Sequence, residues 1–94
     1  MQQEDYIERM IRQVAQAIDR TISFAQKGDV KQAKEEIRAT WMSALALRRE
    51  DIMRLDPATL RAILGSKREL AIKLLEAEVE LGDREAARVL ESLL

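Results

Sequence analysis

Apolar side chains recur at three- and four-residue intervals along almost the whole chain, which is the spacing of amphipathic helices. The apolar–polar alternation that marks a half-buried strand does not occur in the sequence. Only three glycines and one proline interrupt the pattern in 94 residues. The sequence therefore predicts an all-α protein in which residues 1–94 form a single domain.

The first predicted helix, residues 3–27, has an apolar arc of about 160°, whereas one core face needs roughly 100°. We expect one flank of this arc to face the protein's own core. The other flank is expected at an interface with a second chain or beneath the later helices. The inward flank is predicted to hold Ile7, Ile11, Ile18 and Ile22. The second flank is predicted to hold Tyr6, Met10, Ala17 and Phe24.

Helix-stop and helix-start residues divide the remainder of the chain. Glycine suits the left-handed position after a helix, and aspartate accepts hydrogen bonds from the free N–H groups at a helix start. Gly28-Asp29 and Gly82-Asp83 combine the two, and Asp56-Pro57 is a further start signal. Ser66 with Glu69 is predicted to form a capping box.

These signals predict further helices over residues 30–47, 57–64, 66–81 and 84–94, with at most a short helical turn in the connector 49–55. Short loops make successive long helices antiparallel neighbours. We therefore expect a compact bundle of about five helices that contains antiparallel αα-hairpins.

Both Gly-Asp hairpins carry a small residue four or five positions after the turn, namely Ala33 and Ala87. This pattern resembles the central part of a tetratricopeptide repeat. The two glycines lie 54 residues apart (82 − 28), whereas successive tetratricopeptide units are about 34 residues apart. A generic αα-hairpin and a degenerate tetratricopeptide-like repeat are both compatible with it.

The order of the motifs resembles an uncharacterised family of small bacterial all-helical proteins, a domain of unknown function. The motifs are Asp5-Tyr6-Ile7-Glu8-Arg9-Met10-Ile11, Gly28-Asp29, Leu55-Asp56-Pro57-Ala58-Thr59-Leu60 and the tetratricopeptide-like Gly82-Asp83 hairpin. The resemblance implies an all-helical fold and a bacterial origin, and it implies no particular chemistry.

Composition restricts the classes of function. The chain has neither cysteine nor histidine, which excludes thiol nucleophiles, disulfides, histidine acid–base catalysis and the usual zinc sites. The sequence has no phosphate-binding loop and no metal-ligand spacing, so we expect no enzyme activity, no cofactor and no metal ion. The polar segment 1–5 does not resemble a signal peptide, and no stretch is apolar enough to span a membrane. A cytoplasmic location is expected.

Charge gives little support to nucleic-acid binding. The 16 basic and 17 acidic side chains leave a net charge of −1, without the concentrated basic surface that phosphate contacts need. A nucleic-acid-associated regulatory protein is kept as an alternative. It requires the basic residues of the first two helices to share one exposed face.

Four side chains stand out from the helical pattern. Arg48 and Arg49, predicted at the end of the second helix, form a candidate anion-binding surface or simply stabilise the helix C-terminus. Glu78 falls within the apolar arc of its helix, so it either reaches an arginine at a seam between helices or marks a functional pocket. Trp41 is expected to anchor the core, with an interface role as the alternative.

These observations favour a small protein–protein interaction or structural module that acts as a homo-oligomer, most simply a homodimer, or as an adaptor. No membrane partner and no small-molecule substrate are expected. The candidate interaction surface comprises Tyr6, Met10, Ala17, Phe24, Arg48 and Arg49.

Overall fold

The computed structural model describes residues 2–94, with side chains described from Asp5 onward. Its helices are α1 (Gln2–Gln26), α2 (Val30–Leu45), α3 (Arg49–Arg54), α4 (Pro57–Leu64), α5 (Arg68–Glu80) and α6 (Arg84–Leu93), with a 3₁₀ turn at Gly65–Lys67. No strand occurs in this part of the chain, and the predicted all-α class is confirmed.

Three aspartates cap helix starts, as the sequence predicted. A carboxylate oxygen of each accepts a hydrogen bond from a backbone N–H three residues later, at distances of 3.0–3.1 Å. The capping residues are Asp29 for α2, Asp56 for α4 and Asp83 for α6. Because the caps stand directly after the turns, they fix where each helix begins.

Two boundaries differ from the sequence prediction. Helix α2 ends at Leu45, because Ala46 takes the left-handed conformation with φ 56°. Arg48 and Arg49 therefore lie at the start of α3 and not at the end of α2. The predicted Ser66 cap is wrong, because a 3₁₀ turn leads from α4 into α5 without a side-chain cap.

Two antiparallel hairpins make up most of the fold. Helices α1 and α2 form the first, and bonds between their exposed faces join Gln13 to Ser43 and Arg20 to Glu36. Helices α5 and α6 form the second, and α5 also contacts both α1 and α2. Helices α3 and α4 connect the hairpins and pack against α6.

The core lies where the two hairpins meet. Its largest fully buried apolar side chains come from both hairpins and from the two connecting helices: Val14, Ile37, Trp41, Ile52, Leu60, Leu74, Leu75 and Leu93. Trp41 is completely buried, which confirms its predicted place in the core. Among the helices of residues 2–94, none is long and apolar enough to cross a lipid bilayer.

Candidate functional site

The wide apolar arc of α1 is divided between core and surface, but in the opposite sense to the prediction. The buried row is Met10, Val14, Ala17 and Thr21. The isoleucines predicted to face inward are instead largely outside: Ile7 is 41% exposed, Ile11 43% and Ile22 38%, and Ile18 is half-buried. Both flanks are apolar, and the neighbouring helices pack on the one that contains the small Ala17 and the flexible Met10.

We call the outer flank the isoleucine stripe; it comprises Ile7, Ile11, Ala15, Ile18 and Ile22. The stripe forms one wall of a groove whose other wall is α5. Three adjoining sections of the groove have volumes of about 380, 320 and 210 Å³. At 1.5 Å per residue, the lining from Tyr6 to Gln26 extends for about 30 Å.

Neighbouring sections of this α1–α5 groove share lining residues, so the groove is continuous. Ile11 and Lys73 line both the first section and the second. Ile22 and Glu80 line both the second and the third. Residue numbers rise together on the two walls, which shows that α1 and α5 run parallel.

The α5 rim of the groove carries charges that are unevenly distributed along its length. Lys67, Glu69 and Lys73 line the section at the N-terminal end, and their net charge is +1. Lys73, Glu76 and Glu80 line the next section, and their net charge is −1. The groove therefore has a mostly apolar lining and two ends of opposite net charge.

The predicted interaction residues on α1 have different places in the structure. Tyr6 is 54% exposed and lines the groove near the start of α1. Met10 is only 4% exposed and forms part of the groove floor, whereas Ala17 is buried and Phe24 is half-buried. Met10 and Ala17 thus lie beneath the later helices, which is one of the two predicted places, and the isoleucine stripe takes the exposed place.

Glu78 lies in a polar cluster at the seam between the hairpins. Its carboxylate accepts hydrogen bonds from Arg49 Nε and, at 3.4 Å, from Trp41 Nε1. Arg49 Nη2 also donates to Asp83, whose other carboxylate oxygen caps α6. We call Trp41, Arg49, Glu78 and Asp83 the Arg49 cluster. The predicted arginine partner of Glu78 is therefore present, and it is Arg49.

Burial and charge act in opposite directions on the ionisable groups of this cluster. Burial raises the pKa of Glu78 above its ordinary value, although Arg49 and the Trp41 hydrogen bond act to lower it. Burial also acts to lower the pKa of Arg49, but the hydrogen bond and charge of Glu78, with smaller contributions from Asp83 and Glu85, raise it overall. Every buried side-chain polar atom described in the structure has a hydrogen-bond partner. Within the cluster, Trp41 on α2 and Arg49 on α3 both donate to Glu78 on α5, so the cluster joins α2 and α3 to the second hairpin.

The two adjacent arginines do not form a common anion-binding surface. Arg49 is occupied by two carboxylates, whereas the Arg48 side chain is 73% exposed and lies 3.7 Å from Asp51. Other basic side chains of the first hairpin also lie beside acids, as in Arg20 with Glu36 and Arg38 with Glu50. These pairs weaken the case for a basic face that binds nucleic acid.

Across the described residues, no group of acidic side chains is arranged to hold a metal ion. Helical periodicity alone did not indicate that the isoleucine stripe faces outward, because both flanks of the α1 arc carry apolar side chains. No family model, curated protein or solved structure matches this chain significantly.

Proposed function

We propose that the protein is a small interaction module that self-associates as a homodimer through the α1–α5 groove. The single observation that carries the proposal is the row of exposed isoleucines along a continuous groove of about 30 Å. Contiguous apolar surface of this kind on a small protein marks an association site. The exposed lining of the groove is mostly apolar, which suits burial against another apolar surface.

The exposed area of the chain is large enough to include an interface with another chain. The folded chain exposes 6272 Å², whereas a monomeric protein of 10.8 kDa exposes about 5,500 Å². The excess of roughly 700 Å² is close to the area of about 800 Å² that each partner buries in a standard protein–protein interface. Burial of this excess by another chain, which we propose is a second copy, would give an interface of about that size.

The test is a substitution inside the groove compared with one outside it. Ile11→Glu places a charge in the middle of the groove, while Met42→Glu changes a similarly exposed apolar side chain on α2. We expect light scattering on a size-exclusion column to give a dimer for the native chain and for Met42→Glu, and a folded monomer for Ile11→Glu. Circular dichroism confirms that each variant keeps its helices.

Two results would overturn this proposal. One is a native chain that stays monomeric over a wide range of concentrations, which would leave the groove open for a different protein. The other is a dimer that Ile11→Glu leaves intact, which would place the interface on another face. Met10 is unsuitable for this test because it is buried, and a charge there would disrupt the fold.

A further inference from the structure

The junction between α2 and α3, residues 46–48, differs from every other junction between the described helices, because no glycine or proline lies in it or beside it. The helix nevertheless breaks at Ala46, the one non-glycine residue with a positive φ in the described part of the chain. The segment from Leu45 to Glu50 contains only Leu, Ala, Arg and Glu, which are strong helix formers. Arg48, at the N-cap of α3, makes no side-chain capping bond. The local sequence therefore favours a continuous helix, and tertiary contacts maintain the break.

Side-chain bonds divide the chain at the same junction. We call residues 49–94 the C-terminal unit, because five bonds between its different elements hold it together. These bonds join Arg49 to Glu78 and Asp83, Arg61 to Ser92, Arg68 to Leu93, and Arg88 to Met53. Across the junction, Trp41 donates to Glu78, Arg38 lies 3.7 Å from Glu50, and apolar packing joins α5 to α1 and α2. The C-terminal unit is therefore built to move as one body.

Two bonds across the first hairpin define the register of α1 against α2. Gln13 is bonded to Ser43. Seven residues further along α1, which is about two turns, Arg20 is bonded to Glu36. Because the helices are antiparallel, the position on α2 moves back by the same seven residues. A helix that continued beyond the end of α2 would keep this register against the first turns of α1.

One further step of seven residues in this register leads to Tyr6 on α1 and to Glu50 on α3. Tyr6 is 54% exposed and the Glu50 side chain is 53% exposed. If α2 continued through the junction into α3, Glu50 would lie opposite Tyr6 and accept a hydrogen bond from its hydroxyl. The continuous helix would end at Arg54, level with Gln2 at the start of α1. A helix over residues 30–54 would thus be as long as α1, which has 25 residues.

Helix α3 has the sides that this position requires. Ile52 is completely buried, and α3 packs against α6. Glu50 comes two residues earlier and so lies on nearly the opposite side of α3. The exposed side of α3 would therefore face α1, while Ile52 keeps its place in the C-terminal unit.

We propose that residues 46–48 are a hinge through which two chains exchange their C-terminal units. In the exchanged dimer, α2, the hinge and α3 form one helix over residues 30–54. Each first hairpin then packs against the C-terminal unit of the other chain, and Trp41 donates to the partner's Glu78. This proposal goes beyond the proposed function and does not depend on the α1–α5 groove, because the exchanged dimer rebuilds contacts that exist within one chain.

Refolding at high protein concentration tests the hinge. The experiment uses the Ile11→Glu background, which removes association through the groove. The protein is unfolded in guanidinium chloride, refolded over a range of concentrations, diluted, and analysed by light scattering on a size-exclusion column. We expect a dimer that persists after dilution, because its return to monomers requires the core to open.

Substitutions at the hinge should change how much of this dimer forms. Ala46→Gly relieves the positive φ in the monomer and destabilises the continuous helix in the dimer. Together these effects amount to roughly tenfold per hinge, so the concentration at which half of the chains refold as dimer should rise about a hundredfold. Ala39→Gly is the matched control, since it lies within α2 in both forms and should not change that concentration. Arg48→Pro should abolish the dimer, because proline suits φ −84° at the break and interrupts a continuous helix.

Hydrogen exchange on the separated dimer reports the conformation of the hinge itself. In the monomer, the amides of Arg48, Arg49 and Glu50 stand at the start of α3, where N–H groups lack an intrahelical acceptor. In a continuous helix they donate to the carbonyls of residues 44–46. We expect these three amides to be protected in the dimer and to exchange rapidly in the monomer.

Three results would each overturn the hinge: refolding that gives only monomer, equal dimer formation by Ala46→Gly and Ala39→Gly, or hinge amides that exchange as fast in the dimer as in the monomer. The proposed function fails separately. A native chain that is monomeric before any unfolding step would refute the groove dimer and leave the result at the hinge unchanged.

Discussion

Replacing Arg49 with methionine tests how strongly the Arg49 cluster holds α3 on the second hairpin. The change removes the charge partner of Glu78, whose side chain is only 6% exposed, and one partner of Asp83, which is 22% exposed. Breaking a buried pair by removing one partner costs about 3–5 kcal/mol, because a charge is left buried without compensation. A domain of this length has a free energy of unfolding of roughly 5–14 kcal/mol, so the substitution would remove a large fraction of the total stability.

For Arg49→Met we expect a loss of about 3 kcal/mol, the lower end of this range, because Asp83 keeps its hydrogen bond from the α6 backbone. With about 4–8 °C per kcal/mol, the Tm should fall by about 12–24 °C. Thermal unfolding followed by circular dichroism gives the Tm, and urea titration gives the free energy of unfolding. Arg48→Met is the matched control, since that side chain is 73% exposed and its loss should cost about 0–1 kcal/mol.

A double variant separates the buried charge from the rest of the cluster. Arg49→Met with Glu78→Met removes both members of the pair and leaves apolar groups of similar length. It should recover much of the stability lost in Arg49→Met, because no unpaired charge remains on α5. Equal, small losses for Arg49→Met and Arg48→Met would refute the reasoning, and so would a double variant less stable than Arg49→Met.

Two further predictions concern titration and backbone conformation. Burial raises the pKa of Glu78 in the folded state above 4.5, the ordinary pKa of a glutamate, so protonated Glu78 favours folding. As the pH rises above 4.5, the native chain should therefore lose stability relative to the Glu78→Gln variant. Melting curves of both proteins across this pH range check the sign, and a relative stability that rises with pH would show that Arg49 outweighs burial. Ala46→Gly should stabilise the protein by about 0.5–1 kcal/mol, since Ala46 has φ 56°. Ala39→Gly, within α2, should instead destabilise it by about 1 kcal/mol in the same urea titration, and a loss of stability in Ala46→Gly would contradict the argument.

Helix starts could be predicted from the sequence where a side chain hydrogen-bonds to the backbone a few residues further along the chain. Asp29, Asp56 and Asp83 cap helices through hydrogen bonds that reach only three residues along the chain, so sequence spacing was sufficient. The capping box at Ser66 failed because α4 and α5 are joined by a 3₁₀ turn. The sequence does not show that α4 leads through this turn directly into α5, which leaves no separate helix N-terminus for a side chain to cap.

The outward face of α1 could not be predicted from sequence for a different reason. An arc of about 160° exceeds what one core can cover, and periodicity alone does not decide which flank the other helices bury. Contacts with α2 and α5, distant in sequence, decide it. The partner of Glu78 was predictable as an arginine because a buried carboxylate needs one, but only the fold identifies it as Arg49. The tetratricopeptide-like character of the hairpins and the bacterial origin stay predictions.

Trp41 gives the molecule a built-in optical probe. It is the only tryptophan in the chain, it is completely buried on α2, and its indole N–H donates to Glu78 on α5. Indole fluorescence from this protein therefore comes from a single location, the contact between its two hairpins. Separation of the hairpins would expose that indole to water and shift its emission to longer wavelength, even while each hairpin kept its helices.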